Sequence, residues 1–250
     1  MKKLLWLSLL VIACVPSSAH AAITFRKDCT PNNQGSSVSS LTVSCGTTTA
    51  GDLLLIVGAE YNGSGGTTVP SCTSSGSNTY AILKAANDAF ICYAANIGGG
   101  TETATVTFTG GTSFCVCMGV EFSGVKATSP LDVSAFQNSI TTCTSCTLTA
   151  VTTTAANDLV VSVGGNGSTN NTFTAGSGYT ISTNGQVSGG NQSGFVEYQA
   201  VTTATTYTPT VTITTTMSIS NYTAAFFAAP PTPATTVIPK TTVLPNTTVL

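Results

Sequence analysis

The sequence predicts an all-β protein: an antiparallel β-sandwich of jelly-roll or immunoglobulin-like kind, built from two related repeats of about 105 residues. Three observations predict it. Short β-branched stretches of period two alternate with Gly, Ser, Asn and Thr turns, and almost no 3.6-residue periodicity follows the N-terminus. About seven such stretches fall in each hundred residues, the density of a sandwich. The chain also repeats itself. Phe90 and Tyr93 in AFICYAA return as Phe195 and Tyr198 in GFVEYQA, Val106 in TVTFTG as Val211 in TVTITT, and Phe122 as Phe227. TTTAGDLLLIVG from Thr47 returns as TTTAANDLVVSVG from Thr152, so that Asp52 answers to Asp158. A repeat of this length can enclose a core of its own, unlike a solenoid unit of about 20–50 residues.

The elements follow in chain order. Lys2 and Lys3, an apolar run over residues 4–15 and Ala19-His20-Ala21 form the three regions of a secretory signal, so residues 1–21 are expected to be removed after Ala21. The run is too short to span a bilayer. Val11-Ile12-Ala13-Cys14 loosely resembles a lipobox, which makes a lipid anchor at Cys14 the competing expectation. The first repeat, residues 22–127, predicts strands at 23–26, 38–45, 53–61, 80–83, 90–95, 104–109 and 114–122. The second, residues 128–229, predicts strands at 131–135, 147–151, 159–163, 179–182, 195–200, 208–214 and 221–227. In 104–109 apolar residues alternate with threonines, so one face covers a core and the other presents hydroxyls. Residues 53–57 are apolar on both faces and need a second layer, which suits either two tandem sandwiches or one larger sandwich made of both repeats. Residues 230–250 carry proline every sixth residue, a low-complexity tail unsuited to a sheet ladder.

Removal of residues 1–21 takes away the only histidine, His20, the only tryptophan, Trp6, and Cys14. The remainder carries nine acidic and five basic residues, a net charge of −4, and only 6% of the whole chain is charged. Threonine, 48 of 250 residues, must cover much of the surface instead. No basic patch exists for nucleic acid or anionic lipid. Eight cysteines remain, Cys29, Cys45, Cys72, Cys92, Cys115, Cys117, Cys143 and Cys146, an even number that reads as disulfides in an exported chain. With no histidine and no free thiol, stability is expected to vary little between about pH 6 and 9.

Catalytic chemistry finds little to work with. Triads and histidine-ligated zinc need the imidazole that the signal takes away. A glycosidase pair drawn from Glu60, Glu102, Glu121 and Glu197 needs two carboxylates about 5–9 Å apart, and nothing in the sequence brings two together. Asp52 and Asp158, repeated ahead of an apolar strand, suggest either duplicated calcium ligands or turn-forming aspartates; with no acidic neighbour in either loop, the second reading is preferred. Cys115-Val116-Cys117 with Cys143-Thr144-Ser145-Cys146 has metal-ligand spacing, but export favours disulfides. No cofactor is expected. Threonine runs bring ice-binding surfaces to mind, although a 105-residue period does not build a flat array from short coils. Tyr61 and Tyr207, near turns, are the best candidates to touch a ligand such as a glycan.

The segments GDLLLIVG, SNTYAIL, ICYAANIGGGTETATVTFTG, GVEFSGVKATSPLDVSA and TTTAANDLVVSVG resemble threonine-rich β-sandwich modules of secreted and surface proteins of bacteria. The resemblance spans residues 47–228 and implies an extracellular all-β module without a catalytic motif. The expectation is a secreted or surface-exposed, non-enzymatic structural or adhesive module, whose partner is a glycan or another surface protein. A carbohydrate-binding module and a two-carboxylate glycosidase are the alternatives.

Overall fold

The computed structural model describes residues 20–34, 38–61, 70–84, 89–112, 114–167, 171–189 and 192–231. Residues 1–19, with Cys14, and the tail beyond residue 231 lie outside the described residues. Among the described residues seventeen strands are formed: β1 (Thr24–Asp28), β2 (Asn32–Gln34), β3 (Val38–Thr48), β4 (Leu53–Tyr61), β5 (Pro70–Ser74), β6 (Ala81–Lys84), β7 (Ala89–Ala94), β8 (Gly100–Thr112), β9 (Phe114–Ser123), β10 (Leu131–Thr147), β11 (Val151–Thr152), β12 (Leu159–Asn166), β13 (Phe173–Ala175), β14 (Gln186–Gly189), β15 (Gln192–Ala200), β16 (Thr206–Tyr207) and β17 (Thr210–Phe226). The fold is all-β, and the paired strands run antiparallel.

Two sheets share one order. The first is β1-β9-β4-β7-β6 and the second β10-β17-β12-β15-β14. Leu53, Leu55 and Val57 of β4 turn one face toward Leu159, Val161 and Val163 of β12, in a cluster that also takes Met118, Val120, Phe122, Val196, Ala224 and Phe226. Leu54 and Ile56 turn the other way, onto Val43, Val106 and Phe108 of the three-stranded sheet β3-β8-β5. The strand that is apolar on both faces therefore has two layers to cover. One is the second of these sheets and the other is the three-stranded sheet. In the second half Phe195 is covered by Phe173, Val211, Ile213 and Cys146, and Val160 by Val151, Val201 and Ala225 beside the β11-β16 pair. Each fully buried Leu or Val in these layers contributes about 1.5–3 kcal/mol.

The register sets the correspondence between the two sheets. Phe122 lies opposite Leu53, and Phe226 lies opposite Leu159, so the counterpart of Phe122 is Phe226 and not Phe227. Cys117 faces Gly58 as Asn221 faces Gly164, which makes Asn221 the counterpart of Cys117. Both glycines leave room for a phenylalanine ring: a Cβ on Gly58 would meet the Phe90 ring at 2.8 Å, and one on Gly164 the Phe195 ring at 2.9 Å. The predicted strands at 208–214 and 221–227 are two stretches of one 17-residue strand, β17. The predicted strand at 179–182 is only a bridge, Thr180 to Tyr198, and the edge position beside β15 goes to β14.

Candidate functional site

The acidic residues ahead of β4 and β12 sit in matching turns. Gly51 (φ 88°) and Asn157 (φ 65°) take the left-handed conformation that glycine and asparagine tolerate best, and the carbonyls of Asp52 and Asp158 accept N–H bonds from Ile97 and Val201. The side chains do not serve the turn, contrary to the turn-forming reading. Asp52 Oδ2 accepts from Arg26 Nε at 3.2 Å, while Glu121 beside it accepts the Thr49 N–H at 2.7 Å and lies 3.7 Å from Lys27 Nζ. Burial pushes the Asp52 carboxyl up, Arg26 opposes this, and the Glu121 charge adds to the rise.

In the second half, among the described residues, no Lys or Arg pairs with the acids at this place. Phe25 pairs with Phe122, and Leu131 with Phe226, so Asp132 stands where Arg26 stands in the first half. Asp132 accepts the N–H and hydroxyl of Thr154, the latter at 2.5 Å, and faces Asp158. Asp158 is fully buried, and neither of its oxygens has a hydrogen-bond partner. Burial and Asp132 raise its pKa to about 7. A cavity of about 230 Å³ borders Asp158, between residues 20–23 and 200–202.

The four glutamates proposed for glycosidase chemistry are dispersed. Glu102 holds the turn after β5, accepting from Ser74 Oγ at 2.7 Å and Asn78 Nδ2 at 2.8 Å. Glu60 lies opposite Cys115. Glu197 is buried opposite Ser162 and accepts the Gly176 N–H at 3.3 Å; burial lifts its pKa to about 8, against that hydrogen bond. Glu121 has Asp52 for its acidic neighbour, with Arg26 and Lys27 at the same place.

Six of the eight cysteines are bridged: Cys29–Cys45, Cys72–Cys92 and Cys143–Cys146. Cys115 and Cys117 are free and buried, which corrects the expectation that all eight pair. They sit two residues apart on β9, roughly 6.5 Å along an extended strand with parallel side-chain directions, a geometry poorly suited to a disulfide. Burial and then the Glu60 charge push the Cys115 thiol up to about 12; burial pushes Cys117 up as well. The two cysteine motifs lie in separate clusters, so they do not assemble one metal site.

Tyr207 does not offer an open hydroxyl. It donates to the Thr203 carbonyl at 2.8 Å, and its ring packs beside Val151 and Val201. Tyr61 ends β4, and its side chain lies outside the described residues. Sequence reasoning passed over Phe136, which is 50% exposed and stacked on Tyr222 at 5.9 Å. Its signal is an aromatic residue out of phase with the alternation of Leu131, Val133 and Ala135. The threonines form a further feature. Across β3, β8 and β5, Ser40-Thr107-Ser71 and Thr42-Thr105-Thr73 stand in register on the outer face. Ser145-Thr212-Thr174 does the same across β10, β17 and β13, beside Thr147-Thr210. Hydroxyls therefore stand in rows across strands, at a strand spacing of about 4.8 Å.

No family model matches the chain, no curated protein matches it in sequence, and no solved structure matches it. The described residues include no helix long and apolar enough to cross a membrane.

Proposed function

We propose that the protein is an exported, non-enzymatic structural or adhesive module that meets uncharged, hydroxyl-rich surfaces through its outer faces. The in-register rows of Ser and Thr carry this reading. Hydroxyls at sheet spacing both donate and accept, so an array of them suits a partner that does the same. Three disulfides fit an oxidising location outside the cell, as does the secretory pattern in residues 1–21. Asp52, Glu121 and Asp132 are bonded to turn amides or to Arg26 and Lys27, and this speaks for structure over turnover.

A carbohydrate-binding module is the second reading, favoured by the half-exposed Phe136 ring, since sugar rings stack on exposed aromatic faces. Incubation with a panel of insoluble polysaccharides separates the readings. Depletion of protein from solution without release of reducing sugar is expected. Release of sugar would sink the proposal, and saturable binding lost in Phe136→Ala would move the assignment to the carbohydrate-binding module.

A further inference from the structure

The two sheets place different charges around the same acidic turn. In the first, Asp52 and Glu121 are met by Arg26 and Lys27, two acids with two cations. In the second, Asp158 is met by Asp132, which occupies the place of Arg26, and among the described residues no Lys or Arg pairs with either. Two carboxylates face to face without a cation repel, and a buried carboxylate with no donor bears the full cost of losing water. Both oxygens of Asp158 are in that state, and the residue is fully buried. Asp132 is only half-buried, and the cavity of about 230 Å³ beside Asp158 gives a second approach.

We propose that Asp132 and Asp158, with the Thr154 hydroxyl, form a site for a divalent, oxygen-seeking cation of the calcium type, which supplies in the second sheet the charge that Arg26 supplies in the first. The ligand chemistry fits a hard cation. Carboxylate and hydroxyl oxygens are available, no thiol lies at the site, the one imidazole on the cavity wall, His20, belongs to the segment that export is expected to remove, and calcium accepts water for the rest of its six to eight positions. No group of three His, Cys, Asp or Glu converges among the described residues, so the site holds two acids and belongs to the weak, millimolar class of extracellular calcium sites. The sequence hid it because Asp132 and Asp158 are far apart in the chain and come together only when β10 and β12 flank β17.

The test uses the full exported chain, stripped with a chelator and titrated with calcium chloride. Thermal unfolding in ~10 mM calcium is expected about 3 °C or more above the stripped protein, and equilibrium dialysis with radioactive calcium should give one site per chain. Asp158→Asn should abolish both effects. Asp132→Arg, which copies the first sheet, should raise the melting temperature without calcium and remove the response to it. No calcium binding to the wild-type chain by dialysis overturns the proposal, and so does a response that survives in Asp132→Arg.

Discussion

Tyr198 packs edge-on against Phe122, with ring centroids 4.9 Å apart, and its counterpart Tyr93 packs edge-on against Phe226 at 5.4 Å. Each half thus offers a tyrosine from its fourth sheet position and receives it on the phenylalanine of its closing strand. The exchange is the self-complementary arrangement of a two-fold dimer interface, here within one chain. It explains why these aromatics repeat in the sequence while the cysteines do not.

Truncation at either tyrosine should have similar effects. Tyr93→Ala and Tyr198→Ala are each expected to cost about 3 kcal/mol, from lost burial and the edge-on contact. Because the central cluster takes residues from both halves, calorimetry should show one transition in each variant. Two resolved transitions would mean that the halves unfold separately.

Arg26 is expected to matter more than its half-exposed position suggests. Its side chain is 48% exposed, but that of Asp52 is only 7% exposed, with Glu121 beside it. Arg26→Ala leaves two adjoining carboxylates with only Lys27 nearby, so urea unfolding should report a loss of about 2 kcal/mol. Asp52→Asn in that background should recover part of it.

Stability should depend on pH, which revises the flat profile expected from composition. Without a bound cation, burial above all raises the pKa of Asp158 to about 7 and that of Glu197 to about 8 in the folded protein. Unfolded, both ionise near pH 4. Between those limits the folded state binds more protons, so stability falls as pH rises from about 4 to about 8 and then levels. The slope approaches 1.4 kcal/mol per pH unit for each group, at most about twice that where both titrate. Glu197→Gln should remove its share, as measured by urea midpoints across this range; an unchanged slope would contradict the assignment.

The free thiols should be silent in the native state. Alkylation without reductant should modify two cysteines, only after unfolding, and peptide mapping should place them at Cys115 and Cys117. Rapid labelling of the folded protein, or no labelling of the unfolded one, would contradict the three-disulfide arrangement.

The strands were legible where the period-two pattern had both an apolar and a hydroxyl face, as in β8, and where a run was apolar on both faces, as in β4. Short edge strands were not: β5 begins with Pro70, and β13 and β16 hold too few residues to show a period. The 17-residue span of β17 was hidden by the polar middle of that stretch. Pairs such as Asp132–Asp158 and Arg26–Asp52 depend on register between distant strands, and one sequence carries no signal for register except the hydrophobic alternation. The constant 105-residue offset gives Phe227 as the mate of Phe122, one residue beyond the Phe226 that the ladders give.

The most direct test bears on the outer hydroxyl faces. Thr42, Thr107, Thr174 and Thr212 are exposed and lie outside the central cluster, so Thr42→Glu with Thr107→Glu, and Thr174→Glu with Thr212→Glu, should leave the melting temperature nearly unchanged. Retention on polysaccharide films, followed by microbalance, should fall about tenfold or more when both faces carry the charges. Retention equal to that of the wild-type protein would contradict the account.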